Sequence, residues 1–160
     1  MDWLPLKKFD ESRLAISAVE MLHNKNYIVT FFEGKPDMWS TKPPLLIWLQ
    51  MVSIKFFGIN EVATRLPSAL AATAICFFLY HIVIKEFNSI LLATISVLIL
   101  ISNSGFVNMH GARSGDYDTL LTLFLFVNAY SFYKWIELKN DKYLLFFLST
   151  IVLAVYTKGV

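Results

Sequence analysis

Long apolar stretches alternate with short charged ones along this chain. Residues 88–109 contain no Lys, Arg, Asp or Glu, and neither do residues 119–133. Between them lies a charged island, Ala112-Arg113-Ser114-Gly115-Asp116-Tyr117-Asp118. Apolar runs of this kind predict membrane-crossing helices, since about 20 such residues are needed to cross the hydrocarbon core. Four spans are predicted, over 67–84, 88–107, 119–136 and 143–157. Lys85-Glu86 marks one short turn, and Lys139 with Lys142 marks another.

The pattern is different over 1–66. The first nine residues are too short for a span. Ala15, Ala18, Val19 and Leu22 recur at helical spacing, which predicts an amphipathic surface helix over about 11–22. Asp10 is placed to cap it. Residues 27–41 read as an extended loop containing Gly34 and Pro36. Lys42-Pro43-Pro44 then leads into an apolar helix over 45–57, with the prolines tolerated in its first turn. That helix is about 20 Å long, short of the roughly 30 Å hydrocarbon core. Gln50, Ser53 and Lys55 interrupt it, so an interfacial or re-entrant helix is expected. Gly58 ends it, and Pro67 is expected to open the first span. The predicted class is therefore all-α, with polytopic transmembrane helices in 67–160 and interfacial helices in a long outer segment, 1–66.

Composition narrows this further. Of 160 residues 56% are hydrophobic, above the roughly 45–50% of soluble domains. Mean hydropathy is +0.56. The net charge of +2 is small, comes without a basic run and says nothing about nucleic acid; no nucleic-acid partner is expected, and membrane lipids are the expected surroundings. Cys76 is the only cysteine and reads as a packing residue. Lys7, Lys8, Asp10 and Glu11 interrupt the N-terminal apolar residues, so no cleavable signal peptide is expected. His23, His81 and His110 share no ligand spacing, and a histidine metal site is not expected.

Lysine placement sets the orientation. Lys85, Lys134, Lys139 and Lys142 fall in loops on one side, which the positive-inside tendency makes cytoplasmic. The island and, if the 45–57 helix does not cross, all of 1–66 are then outside. Asp10, Glu11, Lys42, Arg65, Arg113, Asp116, Asp118 and Lys158 collect at one outer surface. A carboxylate there can take a proton from an acceptor hydroxyl or amine. Lysine and arginine can hold a phosphate and offset its charge as it leaves. Sugar transfer from a lipid-linked phosphate fits these parts. Each part has a plainer reading as well: Asp10 as a helix cap, Asp116 and Asp118 as turn residues, Lys42 and Lys158 as interfacial lysines. A transporter fragment or non-catalytic subunit is the alternative. It would place charges at mid-depth in the spans, and 67–80, 88–107 and 119–133 have none.

Four stretches in order resemble the C-type membrane glycosyltransferases, in particular the dolichyl-phosphate-mannose protein mannosyltransferase and aminoarabinose transferase branch. They are Asp10-Glu11-Ser12-Arg13-Leu14-Ala15, Thr41-Lys42-Pro43-Pro44-Leu45-Leu46, Phe57-Gly58-Ile59-Asn60-Glu61 leading to Arg65-Leu66-Pro67-Ser68, and the island continuing into Thr119-Leu120-Leu121. The ending Thr157-Lys158-Gly159 is similar too. The resemblance implies a polyprenyl-phosphate sugar donor and an outward-facing site in a bacterial inner membrane. It implies Asp10 as base and Lys42 as phosphate contact. Glu11 joins the catalytic set, with an acidic partner at Asp116 or Asp118. Arg65, Arg113 and Lys158 join the substrate contacts. A divalent cation at the acidic residues is left open. Where the family often has Asp or Glu before the lysine, this chain has Thr41. Relative to the family, a span before the acidic pair and many spans after Lys158 are missing, which implies an N-terminal fragment, inactive alone.

Overall fold

The computed structural model describes residues 9–38, 40, 42–108 and 110–159. The readings made of residues 1–8 and of Thr41 lie outside that set. The described chain runs α1 (Phe9–Asn24), a two-stranded hairpin of β1 (Phe31–Phe32) and β2 (Lys35–Pro36), then α2 (Leu45–Phe57) and α3 (Glu61–Phe87). It continues through α4 (Ile90–Ser102), α5 (Ser104–Val107), α6 (Tyr117–Leu138) and α7 (Asp141–Lys158).

Local chemistry sets most of the boundaries. Asn60 accepts from the Ala63 amide at 2.8 Å and starts α3 six residues before Pro67. Pro67 is thus inside the helix, where it forfeits the bond its N–H would make to the Ala63 carbonyl. Asn103 breaks the predicted 88–107 helix in two, its side chain accepting from the Gly105 amide at 2.8 Å. Asp116 caps α6 by accepting from the Tyr117 amide at 2.7 Å. The island therefore ends at Asp116, and Tyr117 and Asp118 belong to the helix. The expected loop over 27–41 contains the hairpin, whose tip residues Glu33 and Gly34 both have positive φ, 54° and 75°. Such a pair suits the tight turn of a two-residue hairpin.

The core joins four helices. Leu14, Ala18 and Met21 of α1 meet Leu46, Ile47, Met51 and Ile54 of α2, with Ala63, Ala71, Tyr117 and Leu120 from α3 and α6. The apolar face of α1 thus packs on α2 instead of lying free along a surface. Further along, Lys134 of α6 donates to Glu86 of α3 at 2.9 Å and to Glu137 at 2.6 Å. The C-terminal ends of α3 and α6 are therefore together. α7 runs back antiparallel to α6, with Asn128 donating to the Phe147 carbonyl at 2.9 Å and Lys158 reaching Asp118. The start of α3, the start of α6 and the end of α7 share one end of the bundle. Pro43, ahead of α2, lies beside Gly159 at that same end. The end of α2 feeds α3 there through Gly58–Asn60, the Asn60 side chain donating from Nδ2 to the Phe57 carbonyl at 2.8 Å. Both ends of α2 thus lie at one end of the bundle.

One helix among the described residues, Glu61–Phe87, is long and apolar enough to cross a membrane, and α2 and α4 are shorter apolar helices. On α4 only Ala93 is buried, and Ile90, Leu91, Leu98 and Ile99 are exposed.

Candidate active site

The first turn of α1 carries two acids with different surroundings. Asp10 is exposed, and it is the second residue of the helix, not the residue before it. A carboxylate there complements the helix dipole, which is a different role from the cap expected of it. It lines a pocket of about 140 Å³ together with Arg13, Ser17, Asp37, Ser40, Lys42 and Tyr117. Lys42, three residues ahead of the start of α2, lines this pocket. Its ammonium lies 4.9 Å from the centre of the Tyr117 ring, a cation–π distance. Arg13 is fixed by Asp37: its Nε donates to Oδ2 at 3.0 Å, and a second guanidinium nitrogen reaches Oδ1. Phe32 of the hairpin lies under the Arg13 guanidinium at 4.7 Å. The Asp37 hydrogen bond raises the Arg13 pKa above its ordinary value, so the guanidinium stays charged.

Glu11 is 5% exposed. Its carboxylate accepts from Arg65 Nε at 2.7 Å, from a terminal Arg65 nitrogen at 3.2 Å and from the Gly115 amide at 2.9 Å. Gly115 also accepts from Gln50 Nε2 at 3.1 Å, and the same amide group donates to the Thr64 carbonyl at 3.1 Å. Ser68 donates to the Asp116 carbonyl at 3.0 Å. These bonds hold the loop before α6 against α1, α2 and α3.

A third group forms around the start of α6. His110 Nδ1 contacts Asp116 Oδ2 and lies 4.0 Å from Asp118 Oδ2. Lys158, at the end of α7, pairs with Asp118 Oδ1. His110, Asp118, Thr119 and Thr122 line a second pocket, of about 150 Å³. The consecutive residues Tyr117 and Asp118 line the first and second pockets respectively. Arg113 is exposed and lines neither.

Of the residues singled out in the sequence, Asp10 and Lys42 share one pocket, Asp118 and Lys158 form a pair beside the other, and Glu11 and Arg65 bind each other. Sequence reasoning missed Arg13, Asp37, Gln50, Tyr117 and His110. Arg13 lay in a quoted motif without a role. His110 was set aside for lack of ligand spacing, but a loop reversal brings it to Asp116. One ligand atom each from His110, Asp116 and Asp118 lies within 4.8 Å of the others, so the three could hold a metal ion.

Comparison with known proteins shows the family and the fold. The profile of the dolichyl-phosphate-mannose-protein mannosyltransferase family matches residues 41–160. An uncharacterized protein of Aquifex aeolicus (strain VF5) is 30% identical over 159 residues, which are 98% of this chain and 30% of the relative. A second uncharacterized protein of that organism is 34% identical over 83 residues, 52% of this chain and 20% of the relative. The crystal structure of ArnT from Cupriavidus metallidurans bound to undecaprenyl phosphate superposes with a TM-score of 0.83 at 18% identity, covering 99% of this chain and 29% of that one. The chain thus spans less than a third of each of these relatives.

Proposed function

The chain belongs to the dolichyl-phosphate-mannose-protein mannosyltransferase family, and on that premise we propose that it forms part of a membrane glycosyltransferase using a polyprenyl-phosphate-linked sugar. The sugar moves to a protein, lipid or glycan acceptor on the outer face of a bacterial plasma membrane. The polyprenyl phosphate named with the ArnT structure supports the donor class. Helices α3, α4 with α5, α6 and α7 are read as the spans, and α1 and α2 as the outer segment. The exposed lysines Lys85, Lys139 and Lys142 at the opposite end support that orientation.

The observation that carries the reading is the pocket shared by Asp10 and Lys42. A general base and a phosphate contact must lie within one donor's reach. Asp10 accepts the proton of the acceptor hydroxyl or amine. The acceptor atom bonds to the anomeric carbon of the sugar, and the bond from that carbon to the phosphate oxygen breaks. Polyprenyl phosphate leaves with the electron pair, and Lys42 offsets its charge. Asp118, with Lys158 on it, lines the second pocket, and with Asp116, which holds His110, it orients donor or acceptor. A mixed imidazole and carboxylate set also suits a divalent cation, which would add positive charge near the leaving phosphate.

The test compares two lysines in the full-length protein. Lys42→Ala should retain much less polyprenyl phosphate than wild type, while Lys25→Ala retains it normally, since Lys25 stands exposed just past the end of α1. Equal retention by both variants would contradict the assignment of Lys42.

A further inference from the structure

Adjacent helical residues point about 100° apart, because 3.6 residues make a turn. Asp10 and Glu11 therefore cannot face the same way. Asp10 opens to the pocket, and Glu11 turns inward to a junction of four segments. There its carboxylate accepts the two Arg65 bonds and the Gly115 amide. A carboxylate has about four lone-pair sites, so three such donors leave little capacity for a substrate proton. The partners come from α3 and from the loop before α6, neither of which lies near α1 in sequence.

The junction is built around Gly115. A Cβ there would lie 3.0 Å from the Thr64 carbonyl oxygen, 3.2 Å from Gln50 Nε2 and 3.5 Å from Glu11 Oε1. A larger residue would need the Thr64 backbone or Gln50 to give by a few tenths of an ångström. Gln50 is fully buried and bonds both the loop and α3, so α2 is tied in as well. From this anchor the chain continues directly through Asp116, whose carbonyl is held by Ser68, to Asp118.

We propose that Glu11 is a positioning residue and not a base: with Arg65 and Gln50 it clamps the loop before α6 onto α1, holding Asp10 in register with Asp116 and Asp118. The clamp itself is independent of any reaction. Its consequence for turnover rests on the transfer reading above.

Hydrogen exchange on the full-length protein in detergent, without donor, tests the clamp. Glutamine at position 11 must set its amide hydrogens against donors of Arg65 or Gly115 whichever way it turns. Glu11→Gln should therefore speed exchange of the 110–118 segment by about tenfold or more, the equivalent of one lost charge-assisted hydrogen bond. Arg65→Gln should do the same, and the double variant should add little, because both remove one contact. Asp10→Asn should leave that exchange unchanged. Should Glu11→Gln not fold, Arg65→Lys carries the comparison, since it keeps the charge and loses the two-pronged contact. In the kinetic arm, Glu11→Gln lowers kcat with the shape of the pH profile preserved. Unchanged exchange at 110–118 in the variants would overturn the clamp. Loss of a limb of the pH profile in Glu11→Gln would overturn it in favour of Glu11 as base. If the wild-type protein transfers no sugar, the transfer reading fails and the exchange result still decides the clamp.

Discussion

Gly115 is the residue at which the site is most sensitive to size. Its amide and carbonyl serve Glu11 and Gln50, and an added methyl would press on the Thr64 backbone. Backbone cannot swing aside as a side-chain tip can. Gly115→Ala should cost about 1–3 kcal/mol, the range for overpacked interiors, read as a lowered unfolding midpoint. A midpoint equal to wild type would show that the loop has room. At this scale the sequence was legible where a residue's role follows from its own chemistry. Asp10 and Lys42 were singled out by their chemistry and by the family resemblance, and their roles stand as proposals. It was not legible where the role depends on a distant partner. Nothing local to Glu11 marks it as a ligand of Arg65, 54 positions away. Nothing marks Gln50 as the donor to Gly115, 65 positions away. In the sequence Gln50 is only an interruption of an apolar helix. In the structure it ties α2 to the Thr64 and Gly115 carbonyls.

Among the elements, α2 decides whether the site exists. If it crossed the membrane, Asp10 and the loop before α6 would lie on opposite sides. Its bounds were readable from Pro43, Pro44 and Gly58, and its shortness from the count of residues between them. Pro43 lies beside Gly159 and Asn60 beside Phe57, both at the shared end of the bundle, and on that geometry we propose that α2 does not cross. Single cysteines at Asn24 and Arg113 should therefore react with an impermeant reagent added outside intact cells. Cysteines at Asn88 and Lys142 should react only after permeabilisation. All four positions are exposed, so reactivity reports sidedness. Reaction at Arg113 with protection at Asn24 would mean that α2 crosses. Other elements were misread for identifiable reasons. An asparagine inside an apolar run gave no sign that Asn103 would break α4. Pro67 looked like a helix start because the stronger cap at Asn60 was not weighed. The inward face of α1 was visible as a stripe, but a stripe alone does not say whether lipid or α2 covers it.

At the scale of the molecule, the bundle separates its charges. Glu86, Lys134 and Glu137 tie α3 to α6 at one end. Asp10, Lys42, Asp118 and Lys158 gather at the other, where both pockets open. The all-α class and this gathering of charge could be read from apolar run lengths and lysine positions. How the charges divide between chemistry and structure could not, because that division is made by tertiary contacts. The central claim is that Asp10 is the base for sugar transfer from a polyprenyl-phosphate donor. It is tested most directly by single-turnover transfer from radiolabelled polyprenyl-phosphate sugar in membranes carrying the full-length protein, wild type against Asp10→Asn. The account predicts transfer by wild type and a rate lower by about 10²–10⁴ in the variant, with donor retention preserved. Near-normal transfer by Asp10→Asn would contradict it.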